Sequence, residues 1–339
     1  MRILFNHHIS GAADMMELMR RARPDITIIA THERIDTPIR LVADRFLPEP
    51  VGSNGMTADA YANWLFDIAT VEGADLVIPY RRRAELARFR ELFLTRDIRL
   101  MTAADEETML LLEDKPTLLG RIADAGMQVT PFRLFRGLEG YDRLRLTKDL
   151  FPDHSGDLCV KPASGIYGAG FRILRERIPN HIPFSSLTTL ELFEPAFRVF
   201  LSGLSEAELM MLMPLLPGPE HSVDFACFDG QLLGTVTRVK MRSSQLIRHD
   251  QHGEELAALV ARTFHLTGIL NLQMMNDSLG TPRLLEVNSR MSGGIGMTGL
   301  SNVDLAGLLL NAVEGQFPSD PARVSEEFSS GRREYFWAI

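Results

Sequence analysis

The stretch Leu284-Leu285-Glu286-Val287-Asn288-Ser289-Arg290-Met291-Ser292-Gly293-Gly294 decides how the rest of this chain reads. An apolar pair runs into Glu286 and Asn288, and residues i and i+2 of a strand point to the same face. Two oxygen donors are thus aimed at one point, and their apolar neighbours pack the other face. Upstream, Ile269-Leu270-Asn271-Leu272 leads into Gln273, and the turn Asn276-Asp277-Ser278-Leu279-Gly280 separates the two runs. The pattern predicts a hairpin with Gln273 beside Glu286 across the ladder. Three hard oxygen donors with an arginine close by suit Mg²⁺ shared with substrate phosphates, because Mg²⁺ prefers oxygen and keeps positions for water and phosphate. The chemistry indicated is that of ATP. A polar strand edge facing solvent is the plain alternative.

The 339 residues predict one to three domains with a sizeable core. A formal net charge of -8 argues against nonspecific nucleic-acid binding. The two cysteines, Cys159 and Cys227, lie in apolar stretches without a CxxC pattern. They read as buried small hydrophobes in a reducing cytoplasm, not as a zinc site or a disulfide framework. Met1-Arg2-Ile3-Leu4-Phe5-Asn6 enters a strand at once, and neither a signal peptide nor a membrane-spanning run is visible.

Residues 1–105 alternate apolar strands (around 3–5, 26–30, 76–80 and 98–101) with helical patterns (13–21, 58–72 and 85–93). Such alternation gives a doubly wound parallel sheet. It lacks GxGxxG, which argues against an NAD enzyme. From Glu106 the pattern changes. Asp114-Lys115-Pro116 opens a helix over 117–125 that stops at Gly126. Two apolar strands then flank Lys161-Pro162-Ala163-Ser164-Gly165-Ile166-Tyr167-Gly168-Ala169-Gly170. Residues 206–212 read as helical and 213–218 as a Pro/Gly connector. Strands follow over 222–228 and 232–240 around the Asp229-Gly230 turn. Helices are expected over 254–264 and 304–314, and the last two dozen residues as a surface wrap.

The order and spacing of Gln273, Glu-x-Asn-x-Arg and the lysine-led glycine loop resemble the ATP-grasp superfamily. The branch most similar is that of carboxylate–amine ligases and the carbamoyl-phosphate-synthetase large chain, with a further likeness to the group associated with tellurite-resistance gene clusters. The resemblance covers roughly residues 1–315. It implies a doubly wound pre-ATP-grasp domain (1–105), an α+β subdomain with a glycine-rich lid (106–210), and a second α+β subdomain with the metal site and the C-terminal tail (211–339).

The resemblance also implies roles. Gln273, Glu286 and Asn288 would hold one or two Mg²⁺, with Mn²⁺ able to substitute, and Arg290 would stabilise the transferred phosphoryl charge. Lys161 and the loop carrying Ser164, Gly165, Gly168 and Gly170 would cover the phosphates, since backbone N–H groups approach phosphate closely only without a Cβ in the way. Lys115 would reach the nucleotide, or else be a solvated lysine paired with Asp114. Leu212 and Met213 would offer backbone groups to adenine, and Glu220 would accept from the ribose hydroxyls. Asp224 is either an orienting or a structural carboxylate. Arg238 and Lys240 share a strand face and would bind the substrate carboxylate or acyl-phosphate, or lie on a solvated edge; Arg242 and Arg248 extend this basic cluster. Read from position alone, His7, His8, Ser10 and Arg81-Arg82-Arg83 follow strands of the first domain, at the carboxyl ends where ligands of open α/β sheets bind, and are either substrate contacts or plain polar loop groups.

The reaction implied is ATP-dependent activation of a carboxylate as acyl-phosphate and its capture by an amine or another nucleophile, releasing ADP and phosphate. Small-molecule substrates are expected, with no nucleic acid and no membrane partner. A homodimer is expected by analogy. A kinase that stops at phosphoryl transfer and a non-catalytic nucleotide-binding protein are the alternatives.

Overall fold

The computed structural model describes residues 1–154, 156–164, 170–176, 190–203 and 208–331. The chain divides into two compact units. One comprises Met1–Leu112, Pro219–Met274 and Val287–Ile339; the other comprises Glu113–Gly218 and Met275–Glu286.

The first unit opens with strands β1 (Arg2–Asn6), β2 (Thr27–His32), β3 (Arg45–Pro48), β4 (Leu76–Pro79) and β5 (Arg99–Leu100). They pair in parallel in the order β3-β2-β1-β4-β5. Successive residues serve opposite faces. Ile3, Phe5, Ile28, Ala30 and Leu76 enter one core, and Leu4, Ile29 and Val77 enter another. Both faces are covered, which is why these strands are continuous apolar runs and not alternating ones. The helix Ala12–Ala22 brings Met15, Met16 and Met19 to the first core. The helix Ala58–Val71, capped where Thr57 Oγ1 accepts the Ala60 N–H, brings Tyr61 and Leu65 to the second. The doubly wound sheet read from the sequence is present.

The second unit holds β6 (Arg133–Arg136), β7 (Leu158–Pro162), β8 (Arg172–Arg175), β9 (Glu191–Phe193) and β10 (Leu209–Pro214) in the order β6-β10-β7-β8-β9. All pairs are antiparallel except β8 with β9. Tyr141 and Phe197 meet edge-on at 5.2 Å in its core, with Phe135, Val160 and Leu212 around them.

A six-stranded sheet completes the fold: β11 (Glu220–Phe228), β12 (Gln231–Lys240), β13 (Gln245–Arg248), β14 (Gly268–Asn276), β15 (Pro282–Asn288) and β16 (Phe328–Ser330), ordered β15-β14-β11-β12-β13-β16. Asp229 (φ 47°) and Gly230 (φ 80°) turn β11 into β12 as expected of a two-residue hairpin. The helices Gln251–Thr263 and Leu305–Val313 pack on this sheet. No helix among the described residues is long and apolar enough to cross a membrane.

Several local expectations change. Of the residues 206–212 read as helix, 206–207 lie outside the described residues and 209–212 belong to strand β10. Its sequence, Leu-Met-Met-Leu-Met-Pro, has no polar face, so periodicity cannot separate a helix from a strand buried on both sides. Pairing with both β6 and β7 decides the matter. The helix expected over 85–93 is two short helices, Arg83–Ala87 and Arg90–Leu94. The tail is more than a wrap: β16 adds a strand to the free edge of β13.

Asn6, the last residue of β1, is buried and ties β1 to β4. Its Oδ1 accepts the N–H groups of Tyr80 (2.6 Å) and Arg81 (3.2 Å), and its Nδ2 donates to the Tyr61 hydroxyl at 3.1 Å. Asn6→Ala leaves the buried Arg81 N–H without this acceptor and the Tyr80 N–H with only its 3.4 Å bond to the Asn6 carbonyl. It is expected to lower stability by roughly 1–3 kcal/mol, read as a fall in the denaturation midpoint.

Candidate functional site

In the second unit, Lys161 lies on β7 and Lys115 at the first turn of the helix Lys115–Asp124, and both are only 8% exposed. Asp114 caps that helix, its carboxylate accepting from the Thr117 N–H (3.3 Å) and hydroxyl (2.8 Å). Lys115 is therefore not the solvated surface lysine of the alternative reading. Burial holds the Lys161 amine below the ordinary lysine range; Glu286 pulls it back up and Lys115 pushes it further down. Burying two lysines within electrostatic reach of one another costs stability that negative charge such as that of Glu286 offsets, and perturbed groups of this kind concentrate at functional sites. Cys159, two residues before Lys161, is no nucleophile: burial pushes its thiol up to about 12.

The glycine loop leaves β7 at Pro162 and returns at Gly170 (φ 77°), where an added Cβ would sit 2.7 Å from the Pro162 ring. Ser164 is exposed; Gly165 and Gly168 lie outside the described residues. Leu212 and Met213 are buried in β10, paired with Val160 and Cys159.

In the first unit, Gln273, Arg238 and Lys240 line one cavity of about 520 Å³ together with Ser10, Ser222 and Ser292. Arg238 is 2% exposed, so it does not lie on a solvated strand edge. Its Nε donates to Asp224 at 2.8 Å, its Nη2 to Ser222 (2.9 Å) and Ser292 (2.6 Å), and its Nη1 to Gln245. Asp224, fully buried, also accepts from Asn271 Nδ2 at 3.0 Å and from the Ser292 N–H at 3.3 Å. A β-bulge at Ala226/Cys227 sets this arrangement: it pairs Ser222 with Arg238, whereas counting back from the Asp229-Gly230 turn without it would pair Ser222 with Thr237. Gly294 is dictated by the same guanidinium, because a Cβ there would collide with Arg238.

Lys240 and Glu220, read from the sequence as a substrate cation and a ribose acceptor, form an ion pair with each other at 2.7 Å. Glu286 and Asn288 alternate on β15 and share a face, as predicted. Arg290 does not line the 520 Å³ cavity. It lines a separate one of about 40 Å³ with Met15, Tyr80 and Arg83, and its Nη1 donates to the Met291 carbonyl at 2.9 Å. Ser289 accepts the Arg83 guanidinium on its carbonyl (2.8 Å) and hydroxyl (3.0 Å).

The other arginines of the first domain are taken up structurally. Arg81 is buried against Glu33 and Glu49, each at 2.8 Å, and Arg82 donates to the Asn54 and Met56 carbonyls. His7 (φ 65°) stacks on His32 at 4.4 Å. Burial, then His32 and Arg81, hold the His7 imidazole down at about 4. Burial also lowers His8 and His32. Asn271, Ser222 and Ser292 were not visible as a polar network in the sequence; only the alternation of Ser222 with Asp224 on β11 hinted at it.

The Asp224–Arg238 pair predicts its own test. Asp224→Ala strands a buried guanidinium and is expected to cost about 3–5 kcal/mol of stability, whereas the double replacement Asp224→Leu/Arg238→Met costs less. Denaturant unfolding of the three proteins checks this. For His7, the unfolded chain takes up a proton near pH 6.5 and the folded one only near pH 4. Its contribution to stability is therefore complete above about pH 6.5 and lost as pH falls toward 4. The unfolding midpoint should drop across that window, and His7→Asn, which tolerates a positive φ, should make the drop shallower.

Residues 206–332 match a family described as ATP-grasp in the biosynthetic pathway with Ter operon. A 106-residue stretch is 32% identical to carnosine synthase 1 of Gallus gallus, covering 27% of this chain and 11% of that protein, so the chain spans about a tenth of this curated relative. Among solved structures, an ADP complex of N5-carboxyaminoimidazole ribonucleotide synthetase is similar over 96% of this chain and 79% of that one, at TM-score 0.65 and 15% identity. The biotin carboxylase domain of Hydrogenobacter thermophilus 2-oxoglutarate carboxylase, solved with MgADP and bicarbonate, is similar over 96% and 73%, at TM-score 0.66 and 16% identity. The L-amino acid ligase of Bacillus licheniformis is similar over 92% and 74%, at TM-score 0.60 and 14% identity.

Proposed function

We infer that this chain, whose fold is that of the ATP-grasp superfamily, is an ATP-dependent ligase that activates a substrate carboxylate as acyl-phosphate and passes it to an amine or another nucleophile, with release of ADP and phosphate. The observation that carries this reading is the burial of Lys161 beside Lys115 and Glu286, a desolvated pair of cations suited to phosphate oxygens. The relatives named as synthetases and ligases support it, as does the match over 206–332.

In this reading Lys115 and Lys161 hold the nucleotide phosphates, with Ser164, Gly165, Gly168 and Gly170 closing over them. Leu212 and Met213 meet the adenine, and Glu220 meets the ribose. Gln273, Glu286 and Asn288 fit Mg²⁺ by chemistry: all three offer oxygen, and Glu286 and Asn288 share one strand face. The metal would neutralise phosphate charge. Arg290 would stabilise the transferred phosphoryl group, and Arg238 and Lys240 would line the acceptor side, so that rate comes from positioning and charge neutralisation and no covalent nucleophile is needed. Excluding water protects the acyl-phosphate until the nucleophile attacks its carbonyl carbon and phosphate leaves. The three-part division at 105 and 210, a cytoplasmic setting, Mn²⁺ as a substitute metal and a homodimer belong to the same proposal.

Calorimetry with MgATP, followed by ADP release over pools of carboxylic acids and amines, tests it. Binding, with ADP released only when both an acid and an amine are present, is the expected result. Lys161→Ala should weaken nucleotide affinity by roughly tenfold or more, and Glu286→Gln should abolish Mg²⁺-dependent turnover in a folded protein. Nucleotide affinity untouched by Lys161→Ala, or turnover surviving Glu286→Gln, would refute the respective assignment.

A further inference from the structure

The 520 Å³ cavity of the first unit is walled by three cations, Arg238, Lys240 and Arg242, and among the described residues lining it there is no carboxylate. Two of these cations are matched from outside the lining. Arg238 rests on buried Asp224 at 2.8 Å, and Lys240 pairs with Glu220 at 2.7 Å. Arg242 differs. It stands exposed in the turn between β12 and β13, closed by the Met241 N–H to Ser244 carbonyl bond of 2.9 Å, and has no carboxylate partner among the described residues. One positive charge of the wall is therefore left for a ligand. The apolar surface offered beside it comes from Met241 and Met297.

We propose that this cavity is the acceptor pocket and that Arg242 selects an acid carrying one carboxylate and no ammonium group: an N-acylated amino acid, a hydroxy acid or a keto acid, in preference to a free amino acid. The proposal deepens the ligase reading and rests on it. A zwitterion would bring its ammonium against a wall that carries one unmatched positive charge, that of Arg242, and, among the described residues lining it, no carboxylate to receive it. The serine hydroxyls and Gln273 can accept its hydrogen bonds but cannot offset its charge, and like charges brought together discriminate strongly against a ligand. An uncharged acyl, hydroxyl or keto substituent pays no such penalty and packs against the two methionines. Selection then comes from what the wall repels as well as from the salt bridge that Arg242 supplies.

The test uses the full chain with MgATP and hydroxylamine, whose nitrogen attacks an acyl-phosphate at carbon, forms a hydroxamate and expels phosphate. Matched sets are compared: a free amino acid, its N-acetyl derivative and its 2-hydroxy analogue, with several side chains. Hydroxamate is expected at least tenfold faster from the acetylated or hydroxy members. Arg242→Ala is expected to raise the acid's KM tenfold or more with little change in kcat, and Arg242→Lys to recover part of it. MgATP affinity by calorimetry should be unchanged in both variants. Free amino acids used as well as or better than their partners would overturn the proposal. So would a KM indifferent to Arg242→Ala. Absence of MgATP binding in the unaltered protein, or binding with no hydroxamate from any acid, would instead remove the ligase reading underneath, which separates the two failures.

Discussion

One buried carboxylate, Asp224, orders the polar interior of the first unit. It sits on β11 with no exposure and takes hydrogen bonds from the Arg238 guanidinium, the Asn271 amide and the Ser292 backbone. An ionised carboxylate in such a place is tolerable only when its oxygens are satisfied. Those partners come from β12, β14 and the loop after β15, so satisfying this one group fixes three separate pieces of chain. Ser222 extends the arrangement by accepting from both Arg238 and Asn271. The wall of the 520 Å³ cavity is a by-product of that requirement. Because Arg238 is held from several directions, it presents a fixed edge to the cavity and not a mobile side chain.

The second unit is organised by a different tension. Lys161 and Lys115 are buried within reach of each other, and burial alone already disfavours the charged form of Lys161. Nothing about the stability of this small sheet, or of the helix Lys115–Asp124, asks for a buried lysine. A core built for stability alone would place apolar side chains at both positions. Electrostatic stress kept in an otherwise apolar interior is the observation on which the proposed phosphate-binding role rests.

How much of this was legible in the sequence depended on the kind of signal. The parallel sheet was, because runs such as Ile3-Leu4-Phe5 buried on both faces leave an unbroken apolar signature. The shared face of Glu286 and Asn288 was, because it needs only the two-residue period of a strand. Strand β10 was not, since its methionines and leucines carry no polar period at all. The Asp224–Arg238–Asn271 network was hidden for a different reason. Its partners are far apart in the chain, and the bulge at Ala226/Cys227 shifts the hairpin register by one residue, so counting from the turn gives the wrong neighbour. Arg81 shows a reading that the sequence leaves open. It follows a strand and could be a substrate contact or a plain polar loop group, and Glu33 and Glu49 hold it.

The hairpin of β12 and β13 separates two kinds of residue along a few ångströms of chain. Its stem carries Arg238, which cannot change without unsettling Asp224 and everything Asp224 holds. Its tip, 241–244, carries exposed side chains on a turn closed by a single backbone bond. Insertions and substitutions at such a tip are cheap for the fold. On the acceptor reading proposed above, descendants of this chain could therefore drift toward new acids by altering only four residues while the stem stayed constant. In laboratory evolution of a new acceptor range, a library confined to that tip should keep most of its members folded.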